Sequence, residues 1–473
     1  MSGICLAIRL KEQGIHDFTI IEKSVDVGGT WLENSYPNAG CDVPSFLYSY
    51  SFAPNYDWSC KYARQPEILQ YFRDCAERFK VLPHVVFNRQ VTTAAYDENN
   101  YRWTVTLDDG QTLTADYFVS AVGQLNRPHI PQIAGADQFR GETWHSARWN
   151  HTVDLTGKRV AIVGNGASTI QFIPEVASRA RQLYLFQRTA SWIHPLNNYQ
   201  YTNWMKWCFR NLPFVAQWHR LWIFLMCEWR IIAFRKGSIA NQIYRWWLER
   251  TMKSLISSEL ADNLIPDYPP GCKRILLSSD YLQTVQRSNV KLVTESLNSV
   301  HNYTLATVSE EFPVDVLIYG TGFVATGLMQ PMKIYGRSGV ELQEAWTAHP
   351  RTLLGLATPS FPNMFMLYGP NTNLGHNSII YMVESQVDYL VKCLAESQRR
   401  QCREIEVTES AVAEYDQQIH AALRESVWAE DCSSWYKTTD GIISTNWTGA
   451  AFSYRNHTRH PNFSAWKFCA GDA

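Results

Sequence analysis

The feature that most constrains the fold of this chain is a strand that runs straight into a glycine loop. Arg159-Val-Ala-Ile-Val163 is followed at once by Gly164-Asn165-Gly166-Ala-Ser168-Thr169-Ile-Gln171. A glycine pair at a strand-to-helix turn lets a pyrophosphate approach the backbone and rest on the helix N-terminus, so the pattern predicts a dinucleotide-binding α/β unit. The third position of the loop is Thr169 rather than glycine, which leaves the loop alone a weak signal. Arg188-Thr189 strengthens it, because the arginine closes the apolar run Leu183-Tyr-Leu-Phe-Gln187 about 24 residues after the loop. There a guanidinium can grip a ribose 2′-phosphate, which favours NADPH over NADH.

The start of the chain predicts a second unit of the same kind. Met1-Ser2-Gly3 leads into an amphipathic helix, Ile4–Leu10, closed by Gly14, and then into the apolar run Asp17-Phe-Thr-Ile-Ile-Glu22. An acid about twenty positions after a glycine loop is the ribose partner of such a fold, and Glu22 stands 19 after Gly3. Gly3 is therefore read as the last glycine of a loop whose first strand and first two glycines are absent. The expectation is that the natural chain begins upstream of Met1; the alternative is a protein that has lost a central strand.

Charge and cysteine usage exclude several classes. The 43 basic and 44 acidic residues give a net charge of −1, so no nucleic-acid partner is implied. Eleven cysteines without a C-x-x-C pair argue against a disulfide framework, a metal site or a redox-active thiol pair, and the reading expects a cytoplasmic, reducing setting.

Further motifs occur in order along the chain. Phe139-Arg-Gly141-Glu-Thr-Trp-His145-Ser-Ala-Arg-Trp149 precedes the loop; Asp26-Val-Gly28-Gly29-Thr30-Trp31-Leu-Glu33-Asn34-Ser-Tyr36-Pro37, Cys41-Asp42-Val-Pro-Ser45 and Tyr48 lie near the start. Gly123-Gln-Leu-Asn-Arg-Pro128, Cys272-Lys273-Arg274, Asp315–Phe323, Gly369-Pro-Asn371-Thr-Asn373-Leu-Gly-His376-Asn377-Ser378 and Ser434-Trp435-Tyr436 complete the set. Taken together they resemble the type I Baeyer–Villiger monooxygenases over nearly the whole chain. Asn38 in place of the family's usual glycine, Gly320 in place of the alanine of its A-T-G motif, and Thr169 are departures from the pattern.

The resemblance implies FAD and NADPH as cofactors and O2 and a ketone as substrates. Arg274 takes the family position of the cation that stabilises developing negative charge, with Asp42 as its counter-ion and His145 as a further catalytic residue. Gly3, Glu22, Gly29, Thr30, Trp31, Glu33, Asp42, Tyr48, Asn373 and Ser378 would hold FAD. Gly40, Cys41, Gly164, Asn165, Gly166, Ser168, Gln171, Arg188, Thr189, Lys273 and Trp435 would hold NADPH. Taken on residue type alone, His145 and Trp149 also suit a core histidine and a packing tryptophan, and Lys273-Arg274 a solvated basic pair.

The expected architecture is α/β, with two Rossmann-like dinucleotide-binding domains and a helical insertion. FAD is assigned to 1–131 and 326–473, an N-terminally incomplete domain, NADP to 140–195 and 271–325, and a substrate domain to 196–270. The insertion is rich in tryptophan, but its uncharged run Leu221–Cys227 is far shorter than the roughly 20 apolar residues of a membrane span. Lying on a membrane surface remains open. Its bulky apolar content suggests a large hydrophobic ketone, of polyketide or terpenoid type, from secondary metabolism. Two rival readings are an N- or S-oxidising flavin monooxygenase and, for a chain that truly starts at Met1, a flavin-free remnant.

Overall fold

The structure, a computed structural model, describes residues 1–325, 327–438 and 440–470; positions 326, 439 and 471–473 of the expected flavin segment lie outside the described residues. Five parallel strands form the largest sheet, in the order Val290–Val293, Gln182–Phe186, Arg159–Val163, Val316–Tyr319 and Glu142–His145. The apolar run Val316–Tyr319 is buried along its whole length, as a strand paired on both sides and covered on both faces requires. Alternate residues serve two cores. Val160, Ile162, Val316 and Ile318 pack with Ile170, Phe172, Ile173 and Val176 of the helix Ala167–Arg179. Ala161, Leu317 and Tyr319 pack against Val300, Leu305 and Phe312 of a three-stranded antiparallel meander.

The remaining core gathers around the helices Ser2–Glu12, Gln65–Arg78 and Ile379–Arg399. Ile20–Ile21 pairs in parallel with Val85–Val86, and Phe118–Ser120 with Met364–Met366. A separate four-stranded sheet, Lys333–Tyr335 with Val91–Asp97, Arg102–Leu107 and Thr112–Ala115, has its own core around Trp103 and Ile334. The strand expected over Asp17–Glu22 is confined to Ile20–Ile21, and that expected over Leu183–Gln187 runs one residue earlier, Gln182–Phe186.

The insertion begins after Ile193–His194 and ends before Leu276–Leu277, and these two short strands pair in parallel as a sheet of their own. Between them lie the helices Asn203–Asn211, Pro213–Trp229, Ile239–Lys253 and Ser258–Leu264. No helix among the described residues is long and apolar enough to cross a membrane.

One expectation is corrected. The cysteine pattern argued against a disulfide framework, yet one bond is present, between Cys272 and Cys432, 160 residues apart. Spacing rules see only cysteines near one another in sequence, and this bond joins the end of the insertion to the C-terminal segment.

Candidate active site

The glycine loop is shaped by a close backbone approach. Gly164 has φ +101°, and a Cβ there would lie 2.4 Å from the carbonyl oxygen of Gly320, so the position admits glycine alone. Gly166 precedes the helix Ala167–Arg179, and a Cβ on it would meet nothing within 4 Å, which leaves the backbone open to a ligand. Ser168 lies in the first turn of that helix. The Asn165 amide donates to Gln187 Oε1 at 2.8 Å and to the Thr189 carbonyl at 3.0 Å, tying the loop to the end of the next strand. Lys273 Nζ donates to Thr189 Oγ1 at 2.9 Å. Burial holds the Lys273 ammonium below its usual range, and neighbouring Arg188 pushes the same way against the attraction of Asp267. Two cations and a hydroxyl thus converge beyond the loop, a donor set that fits a phosphate monoester.

Arg274 follows directly. Its Nη2 and Nε donate to Asp42 Oδ2 at 2.5 and 3.0 Å. The Asp42 carboxylate, against the opposing effect of burial, raises the guanidinium still further above its usual range, so Arg274 stays charged. The two side chains keep 31% and 24% of their exposure, and Nη1 of Arg274 has no hydrogen bond among the described residues. A fixed cation therefore presents a free edge to a ligand. Tyr436 stands close enough for Arg274 to offset part of the burial that pushes its phenol up to about 12. Trp435 packs against Tyr436 with centroids 4.5 Å apart and the rings tilted by 53°, on the segment that the Cys272–Cys432 bond fastens next to Lys273.

The residues assigned to the flavin fall into two groups. In the first, Gly29 has φ +55° and precedes the single turn Thr30–Glu33, where Trp31 Nε1 donates to Tyr48 Oη at 3.1 Å and Glu33 pairs with Lys23. Glu22 accepts from the Ser24 amide, and Gly3 lies in the first turn of Ser2–Glu12. In the second, Asn373 accepts from Tyr368 Oη at 2.8 Å and donates to Asn446 Oδ1 at 2.7 Å, while Ser378 caps the helix Ile379–Arg399. Gln124 donates to the carbonyls of Tyr368 and Gly369, leaving its own Oε1 buried without a partner. A buried acceptor left open beside these residues fits a ligand that donates hydrogen bonds, as the rim of an isoalloxazine does.

The two cofactor regions are joined at Gly40. Gln171, on the NADP-side helix, accepts from the Gly40 amide at 3.2 Å and donates to the Gly40 carbonyl at 3.0 Å. Burial and neighbouring Asp42 push the Cys41 thiol far above its usual range, so Cys41 is no nucleophile.

His145 is not brought to the Arg274–Asp42 pair by any hydrogen bond. Its Nδ1 accepts from the Ala147 amide at 3.1 Å, so Nε2 carries the proton and donates to the Gly322 carbonyl at 2.9 Å. Both nitrogens are used in fixing the backbone, which makes His145 a positioning residue. Trp149 packs on Trp144 and Phe172.

The departures from the family pattern have local reasons. Asn38 adopts φ +61°, a left-handed conformation that asparagine tolerates better than most residues. Thr169 and Gly320 compensate for each other, since a Cβ on Gly320 would lie 2.1 Å from Thr169 Oγ1.

Sequence reasoning missed Gln124 as a polar partner and overlooked Glu228. The Glu228 carboxylate, on the insertion, accepts from Asn377 Nδ2 at 2.5 Å and from the Ala451 amide at 3.0 Å, and lies 3.4 Å from His376 Nε2. Burial alone would raise its pKa; these partners outweigh burial and lower it. The available signal was the single carboxylate of the helix Pro213–Trp229, at the end of the apolar run Leu221–Cys227. The group His349, Asp416 and His420 places its ligand atoms within 4.8 Å of one another, with Arg424 lining the same pocket; none of the four is among the assigned cofactor residues.

Residues 5–326 match the family described as flavin-binding monooxygenase-like. A Baeyer–Villiger monooxygenase of Pseudomonas aeruginosa is 37% identical over 469 residues, covering 98% of this chain and 89% of that protein. Among solved structures, OTEMO in complex with FAD and NADP superposes with a TM-score of 0.90 at 28% identity, over 99% of this chain and 97% of its own. Oxidized steroid monooxygenase bound to NADP gives 0.89 at 31% identity, over 99% and 98%. The chain therefore carries two Rossmann-like domains for FAD and NADPH, and it belongs to the flavin-binding monooxygenase-like family as a flavin-dependent, NADPH-using monooxygenase.

Proposed function

We propose that the chain inserts one oxygen atom of O2 beside the carbonyl of a large hydrophobic ketone, giving an ester or lactone. The observation that carries this reading is the Arg274–Asp42 pair, a permanently charged guanidinium with one edge free. Reduced FAD supplies the activated oxygen when bound. Arg274 holds the ketone oxygen as it gains negative charge, and because it cannot release its proton it stabilises the anion without quenching it. Asp42 offsets the cost of keeping that cation partly out of water and fixes its plane. Lys273, Arg188 and Thr189 bind the 2′-phosphate of NADPH, and Gln171 sets the two cofactor regions in register through Gly40.

The test is product analysis. Arg274→Ala should reduce ester formation by roughly 100-fold or more, the range seen for loss of one oxyanion donor, while NADPH still bleaches the bound flavin. Ester formed at the wild-type rate would overturn the assignment. An N- or S-oxide as the sole product of the wild-type enzyme would overturn the ketone reading itself.

A further inference from the structure

The helices of the insertion are turned inside out. On Pro213–Trp229 the buried face carries the smaller side chains Ala216, Ile223 and Cys227, while Phe214, Trp218, Trp222 and Trp229 are 73%, 70%, 63% and 73% exposed. The spacing of these four places them on one stripe, and Trp204 and Trp246 of the neighbouring helices are exposed by 72% and 60%. Burying large aromatic rings is among the strongest driving forces in folding, so a contiguous aromatic face left in solvent marks a surface with a partner.

Charge identifies the partner. From Asn203 to Lys253 the sequence has nine Lys and Arg against two Asp and Glu, in a chain whose overall charge is −1. Glu228 is turned inward onto Asn377 and Arg220 onto Ser49, so the excess of cations over acids on the exposed face is unchanged. Arg210, Arg230, Arg235, Lys236, Arg250 and Lys253 are exposed in the same helical segment as the aromatic residues, Arg210 paired with Asp57 and Lys253 with Glu249. A second copy of the chain, docked through the same patch, would set this basic surface against itself. Aromatic rings that enter the acyl boundary, ringed by cations at headgroup level, match an anionic bilayer surface.

We propose that the exposed face of the insertion docks the enzyme on the surface of anionic phospholipid membranes, without spanning them. The face is independent of what the active site oxidises. Docking would set the insertion between the cofactor domains and the lipid phase, where a hydrophobic substrate is concentrated.

The test uses the full-length, FAD-loaded enzyme and sucrose-loaded vesicles of phosphatidylcholine, alone or mixed with phosphatidylglycerol. Expected is sedimentation with the mixed vesicles at least about tenfold stronger than with the neutral ones, weakening as salt rises, and quenching of tryptophan emission by brominated lipid. Trp218→Ser/Trp222→Ser should lose binding with an unchanged far-UV circular dichroism spectrum, and Arg235→Glu/Lys236→Glu should lose the preference for anionic lipid. Should the tryptophan variant fail to fold, brominated-lipid quenching of the wild-type protein decides alone. Enzyme that stays in the supernatant with both vesicle types overturns the proposal, as does a folded tryptophan variant that binds like wild type. Dimerisation through the patch without vesicle binding overturns it too.

Discussion

At Gly320 the chain passes so near Thr169 that no side chain fits between them, and the threonine hydroxyl there is buried without a partner. Gly320→Ala, which restores the family's usual residue, should therefore destabilise this protein by ~1–3 kcal/mol through overpacking. Thr169→Ala removes the obstructing oxygen at no cost in hydrogen bonds. The double variant should regain most of the lost stability, and thermal melts of the four proteins form the cycle that checks it. A Gly320→Ala melt equal to wild type would show that the neighbours yield. His145 gives a pH signature. Burial lowers its pKa, assisted by nearby Arg148 and His129 and opposed by the bond to Gly322. The unfolded chain therefore binds the proton first as pH falls. The stability His145 contributes is complete above an unfolded pKa of about 6.5 and is lost progressively below it, towards the lowered folded value. His145→Gln should flatten the fall in melting temperature between neutral and mildly acidic pH, in part only, because His194 and His219 are depressed in the same direction.

At the scale of elements, the turn after the strand Gln182–Phe186, tied to the glycine loop through Asn165, meets the segment 271–275 at the Thr189–Lys273 bond. Arg188→Ala should raise KM for NADPH by roughly tenfold or more and leave KM for NADH nearly unchanged, since a charge-assisted contact worth ~1.5–3 kcal/mol is lost only with the 2′-phosphate. Steady-state kinetics with both coenzymes checks this, and equal effects would remove Arg188 from the phosphate site. How far the sequence discloses these elements depends on the range of their signals. The central strand Arg159–Val163, an apolar run after one arginine, reads directly, whereas its neighbour Val316–Tyr319 was noted only as part of the motif Asp315–Phe323. Arg274, Asp42 and Lys273 are legible because each sits inside a dense local motif, and the structure does bring the first two into contact. Ile20–Ile21 was overextended because an apolar run says nothing of how many residues its partner, Val85–Val86, can pair. Gln124 and Glu228 stayed hidden because their partners lie more than a hundred residues away in sequence, where no local pattern reports them.

The whole molecule is drawn together by the Cys272–Cys432 bond, which closes a loop 160 residues long. A native bond of this kind typically contributes ~2–4 kcal/mol by restricting the unfolded chain. Cys432→Ser should lower the melting temperature accordingly, and denatured wild-type protein should titrate nine thiols before reduction and eleven after it. Eleven before reduction would mean that the bond is absent. The paired strands Ile193–His194 and Leu276–Leu277 have a different consequence. Entry and exit of the insertion lie side by side, so the helices between them are attached like a cassette in a holder. The cassette is nevertheless keyed to the rest of the fold by Glu228 on Asn377 and by Arg220 on Ser49, so a replacement segment keeps its seat only where it keeps those two contacts.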